Sequence, residues 1–327
     1  MPRPIVFLCF GIALLAFDGA GRVLLADEQR EMRATDTRQS TSDRLRQLLH
    51  DELSPTVMVV AHRGCWFDGT PENSLAAIAR CIELEVDMVE IDVHLTADGV
   101  PVLLHDTTVD RTTDGAGAIA ALTFEQLADL RLRSGSGGPA STVTASKIPT
   151  LHDAVRLARG KILINLDIKA EAFQSAFQVV RQAGVEDQVL MKMNALPESE
   201  RLSGAGFVGK TLFMPIIREC GATATADRCA PRLSQVVPRF GVYDPVAYEI
   251  TFTSFGYLRE GVDAMRDNGG RIWVNSLEPH HAAGITDAQA VDDPDATWGR
   301  LVDMGVNMIQ TDRPEALIAY LKGRGLR

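Results

Sequence analysis

Between residues 61 and 106 the chain reads AHRG, PENS, EIDVHLTADG and PVLLHD in succession. His62, Glu90, Asp92 and His105 are the groups there that could carry out chemistry. Glu90 and Asp92 alternate with Val89, Ile91 and Val93, so a strand would send both carboxylates out of one face. Two adjacent anions repel unless a cation or a shared proton intervenes, and carboxylate oxygens are the ligands of a hard divalent ion. Histidine, with a reference pKa of about 6.5, takes up or releases a proton near neutrality. Asp167 and Lys169 repeat the same-face spacing in INLDIK, adding a third carboxylate and a cation suited to a phosphate oxygen. Arg63 can offer a two-pronged guanidinium to phosphate. One acid, one base, one divalent ion and these cations fit transfer at a phosphodiester. The sequence contains no nucleophile elbow, P-loop or Rossmann glycine pattern.

Positioning such a set requires elements that end at a common rim. From residue 56 onward, strand-like and helix-like pieces alternate. Principal strands begin near Val57, Met88, Ile162, Gln188, Thr211, Tyr248, Arg271 and Asn307, each followed by a helix or a helical remnant. Helical spacing covers Asn73–Leu84, Leu151–Ala158, Ala170–Ala183, Gly256–Asn268, Ala296–Met304 and Pro314–Lys322. VPVLLHD reads as a hairpin partner, and Arg133–Lys147 as a loop without periodicity. The series predicts an α/β fold, a single-domain TIM (β/α)8 barrel, with an open doubly wound sheet as the alternative. Barrel chemistry gathers at the carboxyl ends of strands, and His62, Asp92, Asp167, Lys169, Asn275 and Asp312 all fall there. His94 reads as a structural or rim residue, and His152, His280 and His281 as surface or capping residues.

Composition bounds the rest. The chain has 327 residues, 46% hydrophobic and 23% charged, which indicates a globular protein. A formal charge of -10 argues against nucleic acid as a partner, while a small basic pocket remains compatible with it. Residues 1–26 combine Arg3, the apolar run Ile5–Phe17 and a small residue before Asp27, the pattern of a secretory signal peptide. That run is short for a bilayer span, so no stable membrane insertion is expected after cleavage, and the expected location is periplasmic or secreted. Residues 27–55 read as a spacer and lead-in helix, and 56–324 as the barrel. Cys9 would leave with the signal; Cys65, Cys81, Cys220 and Cys229 remain. Four cysteines allow three pairings. The polar stretch between Cys220 and Cys229 favours a bridge there, with Cys65–Cys81 as the second.

The combined motifs, with RTTDGAG, IPTL, LDIK, WVN and GVNMIQTDRP, resemble the glycerophosphodiester phosphodiesterase family over roughly residues 56–324. The resemblance implies a phospholipase C-like phosphodiesterase barrel in which Mg2+ or Ca2+ assists hydrolysis to sn-glycerol 3-phosphate and an alcohol, making the chain a phosphoric diester hydrolase. Carried over by motif, His62 and His105 are the catalytic acid/base pair, and Glu90, Asp92 and Asp167 the metal ligands. Arg63 and Lys169 hold the phosphate, Asn73 shapes or contacts the site, and Trp273 packs near the glycerol. The family's chemistry passes through a cyclic phosphate made by a neighbouring substrate hydroxyl. The chain departs from the pattern at Asp167, where the family has Glu, and at Lys192, which would contact a second phosphate or pair with Glu249. A phospholipase D-like lyase acting on lysophospholipids or sphingolipids, and a non-catalytic phosphate- or lipid-binding barrel, are the rival readings.

Overall fold

Short runs of Val, Ile, Leu and Met, flanked by turns, form strands buried on both faces, as a parallel sheet wrapped by helices requires. The computed structural model describes residues 39–221 and 229–327; the expected signal segment 1–26 lies outside the described residues. The strands are β1 Met58–Ala61, β2 Met88–Leu95, β3 Pro101–Leu103, β4 Leu163–Ile168 and β5 Val189–Met193. They continue as β6 Leu212–Arg218, β7 Ala247–Thr251, β8 Arg271–Asn275 and β9 Met308–Thr311. Parallel neighbours run β1-β9-β8-β7-β6-β5-β4-β2, and β1 also pairs with β2, which closes an eight-stranded barrel. Antiparallel β3 attaches to β2 with Val93 opposite Leu103, the hairpin expected from VPVLLHD.

The expected helices occupy the connections with shifted ends. Leu151–Ala158 matches its expected bounds, capped by Thr150. The helix expected from Asn73 begins instead at Leu75, because Ser74 is its N-cap and Asn73 has a φ of 51°, which no helical residue adopts. The region expected as Ala296–Met304 divides into a π-helical turn, Asp295–Gly299, and the helix Arg300–Asp303. A short helix over Asp287–Asp292, capped by Thr286 and Gln289, had too few turns to show periodicity in the sequence. Both favoured disulfides are present, Cys65–Cys81 and Cys220–Cys229. Among the described residues, no helix is long and apolar enough to cross a membrane.

The lower barrel interior is filled by alternate strand residues, among them Met58, Met88, Leu163, Met214 and Trp273. The lead-in helix Thr41–His50 packs against this cluster through Leu45, Leu48 and Leu49. Arg271 fixes the arrangement. Wholly buried, it donates to the carbonyl oxygens of Leu48, Asp51, Thr56 and Asn307 at 2.5–3.2 Å. The carbonyls of Leu48, Asp51 and Asn307 also accept from the N–H groups of Asp51, Ser54 and Met58, but removing Arg271 would strip a charge-assisted bond of about 1.5–3 kcal/mol from each of the four acceptors. Arg271→Met is therefore expected to lower unfolding stability by at least ~3 kcal/mol. Chemical denaturation measures this, and an unchanged midpoint would show that the clamp contributes nothing.

Candidate active site

The strand ends supply the carboxylates. Register places Asp92 of β2 directly beside Asp167 of β4, and period-two alternation adds Glu90 on the same interior face. Oxygens of Glu90, Asp92 and Asp167 lie within 4.8 Å of one another, so the shorter aspartate at 167 still joins the group. Glu90 and Asp92 are almost fully buried. Burial first, and then the charge of Asp92, raise the pKa of Glu90 above the ordinary range. Burial acts the same way on Asp92, but Lys169 and Arg63 outweigh it and hold that carboxyl low. A set of three oxygen donors short of countercharge fits a hard divalent cation.

The AHRG and PENS motifs build the wall around these carboxylates. After β1 the chain turns through Arg63 (φ 56°) and Gly64 (φ 85°). A Cβ at Gly64 would stand 2.7 Å from the Cβ of Ala77, so only glycine fits. The turn aims the backbone N–H of Arg63 at Glu90 Oε2, 3.0 Å away. Asn73 donates from Nδ2 to Asp92 Oδ2 and accepts from the Asp92 N–H, at 2.9 and 3.0 Å. Its amide therefore holds Asp92 in place, the site-shaping role of the two expected for it. Glu72 accepts from both Arg63 Nη1 and Arg111 Nη2.

Each histidine expected as acid or base is backed by a carboxylate. His62 Nδ1 lies 2.8 Å from Asp312 Oδ1, which also accepts from Trp66 Nε1 at 3.2 Å. With Nδ1 assigned as the N–H donor, Nε2 is the nitrogen left for substrate. Burial pushes His62 down, but the Asp312 hydrogen bond and the charge of Glu90 outweigh it, and its pKa is raised. His105 Nδ1 lies 2.7 Å from Asp106 Oδ1. Arg111 grips the same carboxylate through Nε and Nη2 and holds it far below the usual carboxylate range. Sequence reasoning gave no role to Asp106, Arg111 or Glu72. The first lies in the HD pair, the second begins RTTDGAG, and the third belongs to PENS.

His62, Arg63, His105 and all three carboxylates line one cavity of about 640 Å³ at the carboxyl end of the barrel. Other expected site residues take different places. Lys169 Nζ sits 3.2 Å from Asp92 Oδ1 and 3.5 Å from Asp167 Oδ1, where it neutralises the carboxylates, and it borders a neighbouring cavity. Lys192 lines the central cavity but is buried against Glu249, its Nζ 3.3 Å from Oε2, so the ion-pair alternative is the one realised. Burial opposes its charge, yet Glu249 outweighs this and raises its pKa. Trp273 lies below the cavity floor, wholly buried, and donates to Asn275 Oδ1 at 2.6 Å. It cannot pack on glycerol directly; Asn275 passes its support on to Glu249. His281, expected at the surface, instead lines the cavity; burial and then His280 push its pKa down to about 4. His152 and His280 are exposed as expected, and His94 Nε2 reaches the carbonyl oxygen of His105, a structural contact.

Comparison with known proteins agrees with this geometry. Residues 62–212 match the glycerophosphoryl diester phosphodiesterase family, and residues 213–321 match a domain of unknown function. A glycerophosphodiester phosphodiesterase of Caldanaerobacter subterraneus is 28% identical over 277 residues, covering 82% of this chain and 99% of that protein. Glycerophosphodiester phosphodiesterase 1 of Bos taurus is 43% identical over 126 residues, 36% of each chain, so the match spans about a third of that relative. Among solved structures, a glycerophosphoryl diester phosphodiesterase of Parabacteroides distasonis aligns with a TM-score of 0.66 at 23% identity, covering 86% of this chain and 92% of that one. A phosphodiesterase of Oleispira antarctica, solved with its product sn-glycerol-3-phosphate, aligns with a TM-score of 0.60 at 21% identity, covering 83% of this chain and 99% of that one. At such identities the structures establish the shared fold.

The His62–Asp312 pair has a definite pH consequence. A histidine whose folded pKa is raised contributes stability that is complete below the unfolded value of about 6.5 and is lost as pH rises through the folded value. Asp312→Asn is expected to destabilise the protein more near about pH 5 than near about pH 9, and to lower the His62 pKa. Histidine titration by NMR reads the shift; an unmoved His62 resonance would break the assignment.

Proposed function

We propose that this chain, whose residues 62–212 match the glycerophosphoryl diester phosphodiesterase family, is a member of that family and hydrolyses glycerophosphodiesters to sn-glycerol 3-phosphate and an alcohol. The observation that carries the reading is the convergence of three carboxylates and two carboxylate-backed histidines on one cavity. Glu90, Asp92 and Asp167 would hold one divalent cation, Mg2+ or Ca2+, which supplies charge neutralisation at the phosphate oxygens. Arg63 lines the same cavity, its Nε 3.4 Å from Asp92 Oδ2 and its Nη1 on Glu72, which fixes a guanidinium beside the carboxylates where a phosphate would approach.

No side chain need act as nucleophile. The glycerol 2-hydroxyl attacks phosphorus and gives its proton to one histidine, while the other protonates the departing alkoxide. One P–O bond forms as one breaks, leaving a cyclic phosphate. Water then opens the ring with the histidines in exchanged roles, so each turnover consumes one water and restores both protons. His62 and His105 fill these roles because each presents an imidazole oriented by its own carboxylate. The Asp-x-Lys spacing of Asp167 and Lys169 is the observation that favours the lyase alternative, which would stop at the cyclic phosphate. A periplasmic or secreted location is part of the same reading, supported by the two disulfides and the apolar segment Ile5–Phe17.

The test uses metal-stripped protein, a panel of glycerophosphodiesters and restored Mg2+, Ca2+ or Mn2+. Release of sn-glycerol 3-phosphate is expected only with metal, and its absence under every combination would reject the function. By mass spectrometry, a cyclic phosphate that persists as the end product would replace hydrolysis by the lyase reading. His62→Ala and His105→Ala are each expected to lower kcat by about 10²–10⁴-fold. Glu90→Gln should weaken metal activation with the fold intact.

A further inference from the structure

A second cavity of about 610 Å³ adjoins the central one, beside the helix Phe173–Ala183. Phe173, Met193 and Arg201 line both, so the two spaces share a wall. Phe173 and Phe207 stack there with ring centroids 5.6 Å apart. Three cations stand against the aromatic groups: Arg201 is 6.0 Å from the Phe173 centroid, and Arg181 and Lys210 are 5.9 and 5.7 Å from that of Phe177. Arg46, Arg80, Arg111, Arg232 and Arg239 all close on carboxylates. Arg181, Arg201 and Lys210 form no ion pair among the described residues, Lys210 Nζ donating to the Gly206 carbonyl oxygen at 2.8 Å, although the chain carries a formal charge of -10.

We infer that this groove receives the alcohol part of the diester and that this alcohol carries a second phosphate group. The inference rests on the reading of the central cavity as a phosphodiester site. Like charges gathered without a counterion repel, and an anion placed among them converts that repulsion into binding. Two guanidinium forks match phosphate oxygens in geometry as well as charge. Contact with the ring faces holds the cationic heads over the groove while their N–H edges stay available. Those contacts also cover aromatic surface that a hydrocarbon chain would need, so the groove suits an anionic polyol better than an acyl tail. A quaternary ammonium alcohol meets only repulsion from these three groups. The diester phosphorus then lies at the carboxylate cluster, and the linking polyol passes the wall of Phe173, Met193 and Arg201.

Three substrates and the full chain test this: glycerophosphocholine, glycerophosphoinositol, and glycerophosphoinositol bearing a phosphomonoester on the ring. The ring-phosphorylated diester is expected to show a kcat/KM at least about 10-fold above the other two at low salt, with the advantage shrinking as salt screens the cations. Arg181→Gln combined with Lys210→Gln is expected to remove most of that advantage by lowering turnover of the ring-phosphorylated diester without lowering that of glycerophosphocholine. Equal kcat/KM for all three substrates would overturn the inference, as would an equal loss on all three in the double variant. A preference for an acylated lysophospholipid over the ring-phosphorylated diester would overturn it in favour of a lipid groove. If glycerophosphocholine is cleaved without any preference, only this inference falls. If no diester releases sn-glycerol 3-phosphate, the hydrolase reading falls with it.

Discussion

Three carboxylates held within 4.8 Å of one another set the constraint on which the rest of the site depends. At that spacing and an effective dielectric near 20, each ionised pair repels by roughly 3–4 kcal/mol. The surrounding residues are the groups that offset it. Asn73 gives Asp92 an N–H donor and accepts its main-chain N–H, Arg63 turns its own backbone N–H to Glu90, and Lys169 places its ammonium between Asp92 and Asp167. AHRG and PENS thus serve the carboxylates they surround before they serve any substrate. What remains uncompensated rests on Glu90, whose pKa burial and Asp92 push up, and a divalent ion would supply the missing charge.

The same logic extends outward to the histidines. Asp312, which backs His62 from 250 positions away, is itself fixed by Asp287, whose Oδ2 accepts the Asp312 N–H at 2.6 Å. Asp287 Oδ1 takes the hydroxyls of Ser276 and Thr311, and burial pushes the pKa of Asp287 up to about 6 despite these bonds. The short helix Asp287–Asp292 therefore anchors the end of β9 and, through it, one catalytic candidate. On the other side Arg111 joins Asp106 to Glu72, and so ties the support of His105 to that of Arg63. Neither imidazole is oriented by its own loop alone.

Much of this could be read directly from the chain. The eight strand starts fell within about a residue of the observed ones because parallel strands buried on both faces are continuous apolar runs, and such runs stand out from amphipathic helices. Glu90, Asp92 and Asp167 were recognisable together because period-two alternation assigns a face without knowledge of the fold. His62 and His105 were marked by motif. Legibility failed where a side chain's partner lies far away in the chain. The sequence leaves Asn73 open between shaping and contacting the site, and only the fold shows Asp92 at both ends of its amide; Trp273, expected near glycerol, is enclosed by the lower barrel core.

The sequence by itself determined the kinds of groups available and the faces they share, since strand alternation, capping residues and glycine-dependent turns act over a few residues. It also marked the strand ends as the place for chemistry, because a parallel barrel has one carboxyl rim. Only the tertiary structure decided which partners those groups take. It paired Lys192 with Glu249, set Lys169 against two carboxylates, and brought His281 into the cavity. The physical reason is that local conformation depends on near neighbours along the chain. A charge's partner depends on distances across the barrel, which are defined only after the strands have closed.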